Sequence, residues 1–254
     1  MSDEITKPDP WRALTRYTQA RIGLGRAGAS VPTRALLDFQ LAHAQARDAV
    51  HRELDLESLR QQIVERGWQA VVLHSAAADR QTYIQRPDLG RILDDASKSA
   101  LESRTPSLPD VVFIIADGLS AWAIEQHALP LLDRIMPRLD DARWRVAPTC
   151  LVSQGRVAIG DEIGALLAAS LSVILIGERP GLSSPDSLGI YLTWDPLPGR
   201  TNAQRNCISN VRPEGLSYEL AAHKLLHLMT AARQRKLSGV ALKDEAPMLP
   251  NGNE

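Results

Sequence analysis

Residues 153–181 read SQGRVAIGDEIGALLAASLSVILIGERPG, and this stretch decides the fold. Its first half has apolar residues at helical spacing, and its second half contains a nearly uninterrupted apolar run, Leu171 to Ile176. Such a run, preceded by a helix and followed by Gly and Pro, is typical of a central parallel strand that helices cover on both faces. Ligands of open α/β sheets bind beyond the carboxyl ends of these strands. We therefore expect Glu178 and Arg179, which follow the run, to lie at a ligand site.

The same strand-and-helix pattern extends on both sides of this stretch. The other candidate strands are Gln69 to His74, Val111 to Ala116, Arg143 to Cys150 and Tyr191 to Thr193, with Cys207 to Val211 as a short segment beside the sheet. Their alternation with helical segments predicts an α/β fold with a Rossmann-like, mostly parallel sheet and helices on both faces. We expect this domain to cover residues 67–242.

Two helices inside this domain have recognisable boundaries in the sequence. Tyr83 to Arg91 is expected to form an extended piece and a turn, and Pro87 to start a helix that runs through Leu101. Leu216 to Lys236 is expected to close the fold, and its predicted inward side chains are Leu220, Leu225, Leu228 and Met229.

A helical N-terminal arm, residues 11–66, is predicted to precede the sheet. Trp11 to Ile22 can form a short helix, and Thr33 to Val50 a longer one that Thr33 caps. The apolar positions of the longer helix are Leu36, Leu37, Leu41, Ala44 and Val50. Its alanines and short side chains suit close packing against another chain, so this helix is a leading interface candidate. Residues 1–10 and 243–254 are predicted to be disordered.

Composition limits the classes of function. The chain has 254 residues, 44% of them hydrophobic, with 29 basic and 30 acidic residues and a formal net charge of -1. No overall charge is available to attract nucleic acid or an anionic membrane, and no apolar run approaches the ~18 residues of a membrane span. Cys150 and Cys207 lack the spacing of a metal or redox motif, which favours reduced thiols in the cytoplasm.

A Gly-rich loop, Gly23 to Gly28, reads GLGRAG and matches the dinucleotide-binding pattern G-x-G-x-x-G, with Asp48 about twenty residues on. That pattern requires a strand directly before it and a helix that begins within it. Here the preceding segment is helix-like, so a tight turn that uses glycine for positive φ is favoured. Arg21 and Arg26 give the loop groups that can contact a partner or ligand. A nucleotide-dependent α/β enzyme and a non-catalytic partner protein stay open as alternative functions.

Other polar residues allow both a functional and a structural interpretation. Asp117 and Ser120 follow the strand Val111 to Ala116 and either face a ligand or cap the next helix. Ser120 is a poor candidate nucleophile because GLSAW does not match G-x-S-x-G. His223 and His227 are one helical turn apart, but no third ligand accompanies them, so surface positions are favoured over a metal site.

Several fragments, taken in order, resemble one known family, the small (light) subunit of ethanolamine ammonia-lyase. The fragments are ARIGLGRAG, FQLAHAQARDAV, YIQRPDLGR, ADGLSA, GRVAIGDEIG, VILIGERPGL and NCISN, and they extend through most of the chain. Each is modest evidence alone, whereas their order and spacing make the resemblance specific.

The resemblance implies a heteromeric, adenosylcobalamin-dependent enzyme that converts ethanolamine to acetaldehyde and ammonia by radical chemistry. A separate large subunit, a (β/α)8 barrel, would hold the substrate and the catalytic groups, and the helical arm would contact it. The small subunit would bind the cobalamin at the interface between the two. The family's corrinoid contacts correspond to Val157, Glu178 and Cys207 in this sequence, and Arg156 adjoins them.

Two further expectations follow from the resemblance. The chain lacks D-x-H-x-x-G, the motif by which some cobalamin enzymes replace the benzimidazole with a protein histidine, so we expect a base-on cofactor without a protein ligand to cobalt. The lead before Trp11 is shorter than the extension that family members often carry for delivery to a bacterial microcompartment. A cytoplasmic protein is therefore expected, and the short lead argues against encapsulation.

Overall fold

The computed structural model describes residues 6–104 and 108–247, and strands within them form one mixed sheet. These strands are β1 (Ala70–His74), β2 (Val111–Ala116), β3 (Thr149–Ser153), β4 (Leu171–Gly177), β5 (Leu188–Trp194) and β6 (Arg205–Val211). Their order across the sheet is β1–β3–β2–β4–β5–β6. The first four pair in parallel, whereas β5 is antiparallel to β4 and β6 is antiparallel to β5.

Helices pack on both faces of this sheet. The α-helices are α1 (Thr33–His51), α2 (Leu56–Glu65), α3 (Arg80–Gln85), α4 (Asp95–Glu102), α5 (Ala121–Asp141), α6 (Ile159–Leu166) and α7 (Tyr218–Arg235). Short 3-10 helices cover Pro10–Arg16, Leu89–Arg91, Asn202–Gln204 and Gly239–Ala241. No helix in the described part of the chain is long and apolar enough to cross a membrane.

Two apolar cores lie on opposite sides of the sheet. Phe113 and Ile115 of β2 point to the side that α2, α5 and α7 cover, which we call the α5 face. Ile114 of β2 and Ile174 of β4 point to the other side, where α4 and α6 pack, which we call the α6 face. Both faces of β2 and β4 are buried, which explains their continuous apolar sequences.

The predicted positions of β2 and β4 are confirmed, but the strand predicted at Arg143 to Cys150 is wrong. The observed strand is β3, which begins at Thr149 directly after Pro148. Val146 makes an isolated parallel bridge with Val111, but Pro148 has no N–H to donate to a neighbouring strand, so the continuous ladder begins only at Thr149. The strand consequently extends to Ser153, into the start of the stretch that decides the fold.

The two strands after β4 make the sheet less parallel than predicted. Cys207 to Val211 is part of β6 and therefore lies within the sheet. The connections at 178–187 and 195–204 are each ten residues long and contain no α-helix. Parallel neighbours need a longer crossover, usually a helix, so these short connections produce antiparallel pairs.

The turn predicted at Pro87 is confirmed, but the extended piece at Tyr83 and the helix from Pro87 are wrong. Residues 80–85 form α3, whose N-terminus is capped by the Asp79 carboxylate accepting from the Thr82 amide at 2.7 Å. The residue before a proline is disfavoured in helical conformation, so α3 ends at Gln85 and Pro87 begins a turn. The next α-helix is α4, capped by Asp94, which accepts from the Ser97 amide at 2.7 Å.

The N-terminal arm is helical in part. Residues 10–16 form a 3-10 helix in place of the longer helix predicted from Trp11 to Ile22. Thr33 is the first residue of α1, and Pro32 occupies the capping position. The disordered segments predicted at 1–10 and 243–254 include residues 1–5 and 248–254, which lie outside the described residues.

The side chains predicted to be the apolar positions of α1 lie at the surface. Leu36, Leu37 and Leu41 are 46%, 57% and 61% exposed, whereas the buried residues of α1 are Ala42 and Ala49. On α7, Leu220 is 40% exposed and the prediction that it points inward is wrong. Helix α2 differs from α1, because it packs on β1 and β3 and contributes to the core on the α5 face.

A buried polar cluster fastens the loops at the carboxyl edge of the sheet. The Asp117 carboxylate, just after β2, accepts from the amides of Gln154 at 3.0 Å and Gly155 at 3.1 Å. The Arg80 guanidinium lies 3.4 Å from the same carboxylate, and its Nε donates to the Val50 carbonyl near the end of α1 at 2.6 Å. Asp117 thus connects β2, the loop after β3 and the helices that flank them.

The Asp117 cluster predicts a specific pH dependence of stability. Burial raises the pKa of Asp117 to about 6, against the opposing effect of the Arg80 charge. In the unfolded chain an aspartate has a pKa of about 4. Protonation of Asp117 therefore contributes its full stability to the fold below that pH, and this contribution is lost as the pH rises through about 6. Between pH 7 and pH 5, the free energy of unfolding of the wild type should rise by about 1 kcal/mol relative to Asp117→Asn. Urea unfolding at both pH values measures this difference, and an identical pH dependence in the two proteins would contradict it.

Candidate functional site

The loops that follow β2 and β4 come into close contact at the carboxyl edge. A Cβ on Gly118 would lie 2.3 Å from the Gly177 carbonyl oxygen, and a Cβ on Gly177 would lie 2.0 Å from the Ser120 carbonyl oxygen. Only glycine permits this approach, and Gly118 also has a positive φ of 57°. The segment after β4, which begins with Glu178, is therefore held directly beside the segment after β2.

Arg156 and Val157 lie on the turn between β3 and α6. The Arg156 amide donates to the Gly90 carbonyl at 2.7 Å, and its Nη2 donates to the Tyr83 carbonyl at 3.0 Å. The guanidinium also lies over the Tyr83 ring, 4.4 Å from its centroid. Val157 is half-buried and packs against the core on the α6 face. The turn is thus fixed between the sheet and the segment that links α3 to α4.

Glu178 is a half-buried carboxylate with one oxygen bonded and one free. Its Oε2 accepts from the Ser187 hydroxyl and from the Asn210 amide, the latter at 3.2 Å. Among the described residues, Oε1 accepts no hydrogen bond. A Cβ on Gly189 would lie 3.0 Å from Oε1, so the glycine leaves room for the carboxylate. The free oxygen can accept a hydrogen bond from a ligand.

Cys207 is an exposed residue of β6 and lies opposite Tyr191 of β5. Partial burial raises the pKa of the Cys207 thiol, the Tyr191 hydroxyl opposes this, and the Glu178 charge raises the pKa further. Burial also raises the pKa of Tyr191, with additional effects from Cys207 and Glu178. Glu178 lies against Gly189, two residues before Tyr191 in β5, and Tyr191 pairs with Cys207, so the three residues are near one another. At neutral pH the thiol is protonated, which suits contact with a ligand better than nucleophilic attack.

The structure brings some of the predicted site residues together and separates others. Glu178 and Cys207 are neighbours through β5, where Tyr191 packs against the core on the α6 face. Arg156 and Val157 lie further along the edge, because β2 separates β3 from β4 in the sheet. Helix α6 begins beside Val157 and packs on β4, so it forms the border between the two groups.

Sequence reasoning missed the residues that orient Glu178. Ser187 lies in an irregular segment without a motif, and Asn210 acts through its backbone amide. Gly189 had a usable signal, because an isolated glycine inside a strand often indicates close approach of another group.

The alternative sites do not assemble. Gly23, Gly25 and Gly28 all have positive φ, which confirms the tight-turn interpretation of the GLGRAG loop. The segment before this loop contains the 3-10 helix, whereas the dinucleotide pattern requires a strand there. Ser120 caps α5 by accepting from the Ala123 amide at 3.2 Å, which confirms its interpretation as a cap.

His223 and His227, one helical turn apart on α7, have no third metal ligand beside them among the described residues. His223 bonds through Nε2 to the Pro247 carbonyl at 2.8 Å. Within residues 6–104 and 108–247, no group of three or more His, Cys, Asp or Glu side chains could hold a metal ion.

Comparison with known proteins identifies the family to which this arrangement belongs. Residues 8–243 match the family model described as "Ethanolamine ammonia-lyase light chain (EutC)". A relative from Pseudomonas fluorescens (strain SBW25), named ethanolamine ammonia-lyase small subunit, is 58% identical over 96% of this chain and 89% of its own length. Proteins of the same name from Pseudomonas paraeruginosa (strain DSM 24068 / PA7) and Pseudomonas syringae pv. tomato (strain ATCC BAA-871 / DC3000) are 58% and 54% identical, over 96% and 98% of this chain and 90% and 88% of theirs. The chain therefore belongs to the ethanolamine ammonia-lyase light-chain family.

Proposed function

We propose that this chain is the small subunit of an adenosylcobalamin-dependent ethanolamine ammonia-lyase and binds the cofactor at its interface with the large subunit. The complex converts ethanolamine to acetaldehyde and ammonia. The observation that carries the proposal is the family match over residues 8–243, together with a half-buried Glu178 that offers a free oxygen at the carboxyl edge. The Rossmann-like domain, residues 67–242, is in this proposal the cobalamin-binding unit.

The side chains at this edge fit a corrinoid. Cobalamin is a broad ring whose rim carries amide groups, so its site needs apolar contact surface and a few hydrogen-bonding groups. Glu178 Oε1 can accept from an amide N–H, and the guanidinium of the half-buried Arg156 has N–H groups that can donate to an amide oxygen. Val157, Tyr191 and Cys207 supply the contact surface.

The contribution of this chain is to hold and orient the cofactor. Adenosylcobalamin supplies the radical chemistry when it is bound, and the large subunit supplies the catalytic groups that act on ethanolamine. Ser187 and the Asn210 amide fix one oxygen of Glu178, so the other is presented in a constant direction. We assign Arg156, Val157, Glu178 and Cys207 to cofactor binding and none of them to proton transfer.

The complex provides the direct test of this function. Co-expressed with the large subunit, the chain should form a stable complex that releases ammonia from ethanolamine only when adenosylcobalamin is added.

We also propose a base-on cofactor. With ¹⁵N-histidine in the protein and cob(II)alamin as the probe, the electron paramagnetic resonance spectrum should show no histidine coupling. Failure to assemble or to catalyse would contradict the function, whereas histidine coupling would contradict only the base-on state.

A single substitution tests the role of Glu178. Glu178→Ala removes a charged hydrogen-bond acceptor, which is worth about 1.5–3 kcal/mol, and should raise the Kd for adenosylcobalamin about ten- to a hundredfold. Assembly with the large subunit should be unchanged. Glu219→Ala is the matched control, since Glu219 lies on α7, on the α5 face, and pairs with Arg138. Equilibrium dialysis of both complexes gives the Kd, and an unchanged value for Glu178→Ala would remove this residue from the site.

The N-terminal arm, residues 11–66, is our candidate contact with the large subunit. Apolar side chains on α1 that no described residue covers suit a protein interface, because exposed apolar patches commonly mark one. Residues 6–34 also carry six basic side chains and one acidic side chain, although the whole chain has a net charge of -1. An apolar helix beside a basic segment favours a partner surface that is apolar with an acidic rim.

Charge placed on α1 should weaken the complex. Leu37 and Leu41 lie one turn apart, so Leu37→Glu with Leu41→Glu puts two carboxylates on this face. Because both side chains are exposed, the double variant should keep the thermal stability of the isolated chain and lose most of its affinity for the large subunit. Val240→Glu, at a residue 79% exposed elsewhere, is the control and should bind normally. Analytical ultracentrifugation measures the binding, and equal affinity of the double variant and the control would exclude α1 from the interface.

A further inference from the structure

A buried ion pair joins α6 to β6 across the intervening strand. Arg205 Nη1 lies 2.5 Å from Asp161 Oδ1, and Nη2 lies 2.7 Å from Oδ2, so the contact is bidentate. The two side chains are 3% and 2% exposed. Arg205 also donates to the Thr193 hydroxyl of β5 at 3.2 Å and to the Arg200 carbonyl at 2.7 Å. One side chain thus connects α6, β5, β6 and the loop between the two strands.

The position of this pair relates it to the proposed cofactor contacts. Asp161 lies one helical turn after Val157, and its amide bonds back to Ala158 at 3.2 Å. Arg205 lies two residues before Cys207 in β6, about 7 Å along the strand on the same face. Since β5 separates β6 from β4, on which α6 packs, the ion pair is a direct link between the element that follows Val157 and the strand that carries Cys207.

The energetics favour a geometric role for the pair over a stabilising one. Removing two charges from water costs free energy, and their mutual attraction offsets this cost without a large net gain. Apolar side chains of similar volume often stabilise a fold as well or better. Arg205 Nε, moreover, is buried without a hydrogen-bond partner among the described residues, which adds to the cost. A bidentate contact between arginine and carboxylate does fix both distance and orientation, which apolar contacts do not.

We propose that the Asp161–Arg205 ion pair sets the separation of Val157 and Cys207 and thereby the affinity of the small subunit for cobalamin. Asp161 and Arg205 are positioning residues in this proposal, because each acts through a neighbour that contacts the cofactor. The inference rests on the proposed function and deepens it. It assigns a role in cofactor binding to two buried residues outside the set assigned to direct cofactor contact.

The test compares two buried aspartates in the complex with the large subunit. Asp161→Asn breaks the bidentate pair at the site. Asp110→Asn removes the charge of another buried aspartate at the other edge of the sheet, where Asp110 accepts from the Arg145 amide at 2.9 Å and from its exposed guanidinium, through Nη2, at 3.0 Å. Equilibrium dialysis with adenosylcobalamin should give a Kd about tenfold higher for Asp161→Asn, because small displacements of binding groups are costly. Asp110→Asn should change the Kd less than about twofold, because Asp110 precedes β2 and therefore lies at the edge of the sheet opposite the proposed cofactor contacts.

Kinetics and a second variant complete the test. The loss in Asp161→Asn should fall on the KM for adenosylcobalamin, whereas kcat at saturating cofactor stays close to the wild-type value. If Asp161→Asn does not fold, Arg205→Lys serves instead, since it keeps the charge and loses the bidentate geometry. An equal Kd for the site variant and Asp110→Asn would overturn the inference alone. Absence of cobalamin binding by the wild-type complex would instead overturn the proposed function.

Discussion

The parallel pairing of β2 with β4, both buried on two faces, is the constraint on which the rest of the structure depends. Backbone groups at this depth must find hydrogen bonds within the sheet, and the paired positions of β2 and β4 supply them. Since four neighbouring strands run in one direction, their carboxyl ends meet at one edge. Gly118 and Gly177 allow the following loops to touch there, and Asp117 bonds the amides of the next loop. A site at this edge is a consequence of that packing.

The sequence predicts the central strands well because their apolar runs leave little choice. Val111 to Ala116 and Leu171 to Ile176 coincide with β2 and most of β4, and Glu178 follows β4 as expected. Prediction fails where a single residue decides where a strand begins, or where a segment has too few apolar residues to show a helical or strand period. Because of Pro148, β3 begins several residues later than predicted, and the helix at residues 80–85 has too few apolar positions to be recognised from the sequence.

The remaining features depend on contacts between residues distant in the sequence. The bonds from Ser187 and Asn210 to Glu178 join three segments, and no local pattern indicates them. Asp161 and Arg205 are 44 residues apart in the sequence, and they can pair only when β5 and β6 lie beside β4 in the sheet. Periodicity identified the apolar stripe of α1, but it could not distinguish a stripe that faces the protein's own core from one left uncovered. The position of Glu178 after an apolar strand indicates a ligand site, whereas Val157, Cys207 and the corrinoid itself are implied by resemblance to a family, and contact geometry alone does not identify a corrinoid.

The uncovered leucines of α1 have a consequence for the chain before it meets any partner. An isolated copy carries Leu36, Leu37 and Leu41 on its surface, and water around such side chains favours any contact that removes them. When the chain is produced without the large subunit, two copies can bury these leucines by associating with each other. In the proposed complex the large subunit covers these leucines, so the amount of the chain that stays dispersed would depend on the supply of its partner as well as on the stability of its own fold.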